Sequence, residues 1–412
     1  MMKRKASEAM NKRWKQIVGF ILPMLVLSGC IQDLEKAPSK EKKVGPDEVV
    51  VQTTNNQLSD NYYRSVIRDG KYQLAASASV DNNLTSSGNS QAYEEGLLRI
   101  SKKIFPTDQY FLQEGQIIDE DTMTSWLGRE TKDNPDGLNP VLEEDQTSET
   151  TTENAQAAND QAENQSTTNE QVVVDAAATP IYLAQIMEKD IMVEDGDNFK
   201  MGGIVVGLAM NSEYSYTDAN GVVHKQEISM GELRERGKAY ANIIVGRLRN
   251  TKELRSVPIV VGIFKQAPST SVVGGSYVLS GVSREGNYVS DWTEHNDVRV
   301  ALPVAKDAEG NDQYKYFDDF SNQIINFFPN LNGVSGEGLY VDGALASLKI
   351  NIVSQFYQQT EITALTQQVT DSAQKNLPEG VNIEITINSA AGVESYIGRQ
   401  AGAKEFQTHI FQ

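Results

Sequence analysis

One order of elements, helix–strand–strand–helix–strand, can be read twice along this chain, and it restricts the fold more than any other feature. In 91–105, Tyr93, Leu97, Ile100 and Ile104 share a helical face that Pro106 ends. Strand-like YFLQEGQII (110–118) and GGIVVGLAMNS (202–212) follow. A second helix is expected over 230–249, its face made by Leu233, Tyr240, Ile244 and Leu248 behind a Ser229–Glu232 capping box. VPIVVGIFK (257–265) then reads as a strand. The order recurs from Phe317, Phe320, Ile324 and Phe328, a helical set over 314–328 stopped by Pro329. GEGLYVDG (336–343) and LASLKINIVSQFY (345–357) come next, and then a helix over 361–377 with Ile362, Leu365, Val369, Ala373 and Leu377 in register. Pro378 and Gly380 close that helix before VNIEITINS (381–389). Both leading helices end in Phe-Pro.

The expectation is an α+β protein of two pseudo-repeated units, about 47–270 and 271–412. Further strands are expected at 47–54, 276–282 and 406–411, and DANG (218–221) reads as a hairpin turn. The first unit is the longer because of residues 143–170, EEDQTSETTTENAQAANDQAENQSTTNE. With no Lys, Arg, aromatic or large aliphatic residue, this stretch cannot bury enough apolar surface to offset its ordering entropy. It is expected to be a disordered acidic insertion within about 132–178.

The 412 residues hold a single cysteine, Cys30, which excludes an internal disulfide or a multi-thiolate metal site. Residues 3–15 are basic, 17–27 (IVGFILPMLVL) are apolar, and Ser28 and Gly29 precede the cysteine. A basic stretch, a short apolar run and small residues before a cut describe a signal peptide over 1–29. Leu27-Ser28-Gly29-Cys30 resembles a bacterial lipobox, which implies cleavage between Gly29 and Cys30 by prolipoprotein processing enzymes. The thiol would then carry diacylglycerol and the new N-terminus a fatty acid such as palmitate. Residues 30–46, charged and without an apolar period, read as a flexible tether that reaches about 50 Å when extended. The expected location is the extracellular face of a cell membrane, held through the lipidated cysteine.

The net charge is −19, and six basic residues near the N-terminus lie within the signal peptide, so the remainder is more acidic still. Such a surface does not suit nucleic acid, whose phosphates need clustered Lys and Arg. No nucleophile elbow, Walker loop or zinc-protease helix occurs. The glycines of GGIVVG (202–207) sit in a strand rather than at a strand-to-helix turn, so they form no dinucleotide fingerprint. GVSGEG (333–338) reads as a turn. DAEGND (307–312) lacks the glycine and glutamate of a calcium loop, because Asp312 and Asp318 stand at those positions. Asp318 and Asp319 suit the first turn of a helix without any catalytic role, and TSWLGRE (124–130) reads as Trp126 packing beside an exposed Arg129. DWTEHND (291–297) is the most site-like cluster, with Glu294, His295 and Asp297 in an expected loop where a His flanked by carboxylates could act as base or ligand. No catalytic residue, metal or cofactor is assigned.

NQLSDNYYRSVI (56–67), DQYFLQEGQIIDEDTMTSWLGR (108–129), GGIVVGLAMNSEY (202–214), VPIVVGIFKQ (257–266) and FFPNLNGVSGEGLY (327–340) together resemble the CamS-type sex pheromone lipoproteins of Gram-positive bacteria. The resemblance implies two α+β units and a precursor with two products: an anchored lipoprotein, and a short hydrophobic peptide trimmed from the signal-peptide tail. Here that tail is Leu22 to Gly29, LPMLVLSG, whose partner would be a peptide-pheromone receptor. Pro23 and Gly29 depart from the family's best-known pheromones. The resemblance supplies no activity for the mature part, which is expected to be non-enzymatic. The alternative is a lipoprotein that binds a small solute or cell-wall component between its two units.

Overall fold

Strand β6 (Asn198–Met210) sets the layering of the larger half of the molecule. Ile204, Val206 and Leu208 point to one face and Val205 and Ala209 to the other, the period of two that a strand buried on both sides requires. Helix α1 (Ser87–Ser101) covers the second face with Ala92, Tyr93, Leu97 and Ile100. Helix α2 (Glu120–Leu127) and helix α3 (Met230–Leu248) cover the first, α3 through Leu233, Ala241, Ile244 and Leu248. The glycine positions follow from this packing. A Cβ on Gly207 or Gly262 would lie 2.8 or 2.5 Å from the rings of Tyr93 and Tyr277, which fill the space between α1 and the sheet.

The computed structural model describes residues 51–54, 57–142, 179–217, 220–305, 310–328, 333–355 and 358–411, all within one compact unit that begins at Val51. The nine-stranded sheet runs β1 (Val51–Thr53), β2 (Arg64–Arg68), β4 (Phe111–Glu114), β5 (Leu183–Asp195), β6, β9 (Ile259–Lys265), β10 (Ser276–Ser283) and β11 (Ser290–Glu294), with β3 (Lys71–Tyr72) paired to β2. β5 and β6 form a long antiparallel hairpin, and α3 crosses over to β9, which lies parallel to β6. A separate hairpin joins β7 (Glu213–Thr217) to β8 (Val223–Glu227), as the DANG turn predicts, although residues 218–219 lie outside the described residues.

The six-stranded sheet runs in sequence order: β12 (Asp297–Leu302), β13 (Gly333–Val341), β14 (Ala344–Val353), β15 (Asn382–Ser389), β16 (Gly392–Arg399) and β17 (Gln407–Ile410). Helices α4 (Lys315–Phe327) and α5 (Gln359–Asn376) pack on one face, joining Phe317, Phe320, Ile324, Leu365 and Val369 to Leu348, Ile352, Ile385 and Ile397. The succession hairpin, helix, parallel strand, antiparallel strand occurs in both sheets, as β5–β6–α3–β9–β10 and as β13–β14–α5–β15–β16. Helix α1 meets the second sheet through ions: Glu95 pairs with Lys349 and Arg299, and Arg99 with Asp297.

The α+β class agrees with expectation, but several elements differ. The strand preceding β6 is β5, not 110–118, which contributes only the four residues of β4. Residues 271–294 add β10 and β11 to the first sheet, so the change of sheet falls between Glu294 and Asp297 rather than near residue 270. GVSGEG is no turn: it opens β13, where a Cβ on Gly336 would meet the Phe317 ring at 2.9 Å. Residues 132–142, expected within the insertion, are ordered around buried Leu138 and Asn139. The remainder, 143–178, lies outside the described residues, as do 1–50 with Gly29 and Cys30.

Candidate functional site

The expected cluster at 291–297 is two strand ends rather than a loop: Glu294 closes β11 and Asp297 opens β12. Glu294 reaches the α3 face of the sheet, where it pairs with Arg234 at 3.1 Å. Asp297 turns to the α1 face and pairs with Arg99. His295 is buried, its Nε2 2.7 Å from Ser280 Oγ. Burial lowers its pKa, Asp297 opposes that shift, and Lys103 and Arg99 reinforce it. The three residues therefore do not converge: Glu294 lies apart from the other two. Asp318 lies in the first turn of α4, and Asp319, just beyond it, pairs with Lys315 at 2.9 Å. Trp126 packs in the core as expected, whereas Arg129 is held rather than exposed, donating to the carbonyls of Pro140 and Thr179 at 2.7 and 2.8 Å.

The strongest concentration of buried charge lies in β5, at Glu188, Lys189 and Asp190. All three are nine-tenths or more buried, with Asp190 wholly so. Strand alternation separates them. Glu188 and Asp190 turn to the connection between β4 and α2, whose backbone supplies donors. The N–H groups of Ile117 and Ile118 donate to Glu188 at 2.9 and 2.8 Å, and that of Gln116 to Asp190 at 3.0 Å. Gly115 permits this approach, since a Cβ there would lie 2.6 Å from the Glu188 side chain. The two carboxyl groups are within hydrogen-bond reach of each other. Burial, then the Glu188 charge and hydrogen bond, push the Asp190 carboxyl up to about 9. Burial also raises Glu188, but the donors around it resist. The pair holds one proton near neutrality, on Asp190, because two adjacent buried carboxylates cannot both ionise.

Lys189 points the other way. Its Nζ donates to Glu94 on α1 at 2.6 Å and to both oxygens of Glu114 on β4 at 2.9 Å. Burial pulls the ammonium toward neutrality, but these hydrogen bonds and charges outweigh it and hold its pKa above the ordinary lysine value. Tyr72 donates to Glu114 at 2.7 Å. Beside this triad is a pocket of about 270 Å³ between α1, β5 and the segment 75–84, reached by Tyr93, Met187, Gln185 and Ser77. The Gln185 Oε1 atom is buried there with no hydrogen-bond partner in the protein.

Sequence reading missed this site because LAQIMEKDIMVED has too little alternation to register as a strand. The signal was nonetheless present: three consecutive charges inside an otherwise apolar run need partners on both faces. Among the described residues, no three His, Cys, Asp or Glu side chains converge as metal ligands, and no helix is long and apolar enough to cross a membrane.

Comparison with known proteins gives a consistent result. Residues 72–405 match the family described as CamS sex pheromone cAM373 precursor. The fold is similar to the crystal structure of a sex pheromone precursor from Lactobacillus salivarius subsp. salivarius UCC118, with 33% identity and a TM-score of 0.75 over 88% of this chain and 99% of that one. It is also similar to the C-terminal domain of the sex pheromone staph-cAM373 precursor from Staphylococcus aureus, at 28% identity and a TM-score of 0.62, covering 80% and 99% of the two chains. No curated protein matches the sequence.

Proposed function

Because the chain belongs to the CamS sex pheromone cAM373 precursor family, we propose that it is a lipoprotein precursor lipidated at Cys30 and anchored on the extracellular face of the membrane. The observation that carries this reading is Leu27-Ser28-Gly29-Cys30, placed behind a basic stretch and an apolar run. A second product is the tail Leu22–Gly29, released with the signal peptide and trimmed to a short hydrophobic peptide for a receptor. The folded part has a non-enzymatic role, a reading supported by the separation of Glu294 from His295 and Asp297. Replacing Cys30 with alanine tests the anchor: the protein should be released or left unprocessed, and retention of a mature form in the membrane fraction contradicts the proposal.

A second reading, that the extracellular part binds a small solute or wall component, is favoured by the pocket beside Lys189. That pocket belongs to the nine-stranded half, so this reading moves the binding place from between the two sheets to the α1 side of β5.

A further inference from the structure

The compact unit that begins at Val51 has two cores and a narrow seam between them. No strand pairing joins the two large sheets, and the chain passes from one to the other once, through His295 and Asn296 between β11 and β12. The apolar clusters divide in the same way. Those of the nine-stranded half hold no residue beyond Trp292, and that of the six-stranded half holds none before Val300. Where an interface lacks a shared apolar core, relative motion of the two parts is the ordinary expectation. His295 belongs to the first half, since its N–H donates to the Val278 carbonyl at 3.2 Å and its ring meets Ser280. Asp297 is already in the β12–β13 ladder, opposite Val341. The pivot is therefore Asn296, which is exposed.

Helix α1 of the first half runs along this seam. Its Arg99 pairs with Asp297 beside the pivot, and one turn away Glu95 takes two cations from the second sheet, Arg299 at 3.4 Å and Lys349. Lys349 lies between Leu348 and Ile350, which face α4 and α5, so strand alternation puts it on the face that carries no helix. The Glu95 side chain is 42% exposed and that of Lys349 32%, so water and ions reach this contact. Pairs at such exposure hold weakly, and salt screens them. Arg299 is buried, but Glu337 of its own sheet also pairs with it, so separation from Glu95 does not strand the guanidinium. We propose that the six-stranded half swings about Asn296 against the nine-stranded half, and that Glu95 is the latch that holds the closed form. The Arg99–Asp297 pair, next to the pivot, moves least, and opening parts α1 from the helix-free face of the second sheet. The device goes beyond the anchored-precursor reading and does not depend on it.

The test uses the full-length chain in detergent, with Cys30→Ser, and with Glu235→Cys on α3 and Asp371→Cys on α5, both exposed, to carry a donor and an acceptor dye. Single-molecule energy transfer then reads the separation of the two halves. As salt rises from about 0.01 M to about 1 M, the screening length falls from about 30 Å to about 3 Å. A second population with a different transfer efficiency should grow at least about fivefold over that range. Glu95→Gln should show this population already at low salt and respond little to more salt. Glu384→Gln, beside Lys349 on the same sheet face but outside the latch, should behave as the parent. Circular dichroism should stay constant throughout, which separates swinging from unfolding. One unchanged population at both salts overturns the proposal, as does a population that appears only with loss of dichroism. A salt response equal in the parent and Glu95→Gln, or a Glu384→Gln that matches Glu95→Gln, overturns the latch.

Discussion

Asp190→Asn isolates the shared proton of the buried carboxyl pair. In the folded protein Asp190 keeps its proton up to about pH 9, whereas in the unfolded chain an aspartate releases it near the ordinary value of about 4. Between those limits the folded state binds one proton more than the unfolded state, so stability falls as pH rises. The slope is about 1.4 kcal/mol per pH unit for one proton, or roughly 3 kcal/mol between pH 6 and pH 8. Below about pH 4 both states are protonated and this contribution to stability is fully present. Asparagine suits the site: its oxygen can accept from the Gln116 N–H as Asp190 does at 3.0 Å, and its amide can donate to Glu188 as the protonated acid does. The variant should therefore fold normally at pH 6 and be the more stable protein at pH 8. Urea unfolding at half-unit steps from pH 5.5 to 8.5, followed by tryptophan fluorescence, gives the difference between the two proteins. A wild-type slope that Asp190→Asn leaves unchanged would refute the shared proton.

Arg249→Met should cost about 3–5 kcal/mol, because the buried guanidinium donates to the carbonyls of Val257, Ser283 and Gly286 at 2.7–3.0 Å and methionine leaves them unsatisfied; the urea midpoint measures this. Glu294→Ala should change stability by no more than about 0.5 kcal/mol, since its ion pair with Arg234 lies in solvent, whereas Asp297→Ala should cost about 1–3 kcal/mol by stranding Arg99 in a partly buried setting. Equal losses in the two variants would contradict the separation of that cluster. Mass spectrometry of culture medium should detect fragments ending at Gly29, and their absence from a strain that processes the protein correctly would contradict release of the tail.

Four of the five described helices were legible because each buries one continuous apolar face: Ile362, Leu365, Val369 and Ala373 recur on α5 at the helical period, and all four are buried, whereas α2, with only Met123 and Trp126 buried among its eight residues, shows no such face. The central strands β6 and β9 were legible because burial on both faces leaves long β-branched runs. Other strands were hidden by chemistry that serves the packing. Three charges interrupt β5, the glycines of GVSGEG, among them Gly336 against the Phe317 ring, made the start of β13 resemble a turn, and the polar residues of DWTEHND concealed the ends of β11 and β12. In β2 only Val66 is buried, too little for a pattern. The site around Lys189 was unreadable for a related reason. Its partners Glu94, Glu114 and Gln116 come from α1, β4 and the turn after it, about 70 or more residues away in sequence, and only the sheet brings them together.

The central claim is tested most directly at the N-terminus of the protein extracted from membranes. Mass spectrometry of its first proteolytic peptide should find Cys30 as the terminal residue, carrying diacylglycerol on sulfur. An unmodified Cys30, or a chain that still begins upstream of it, would contradict the account.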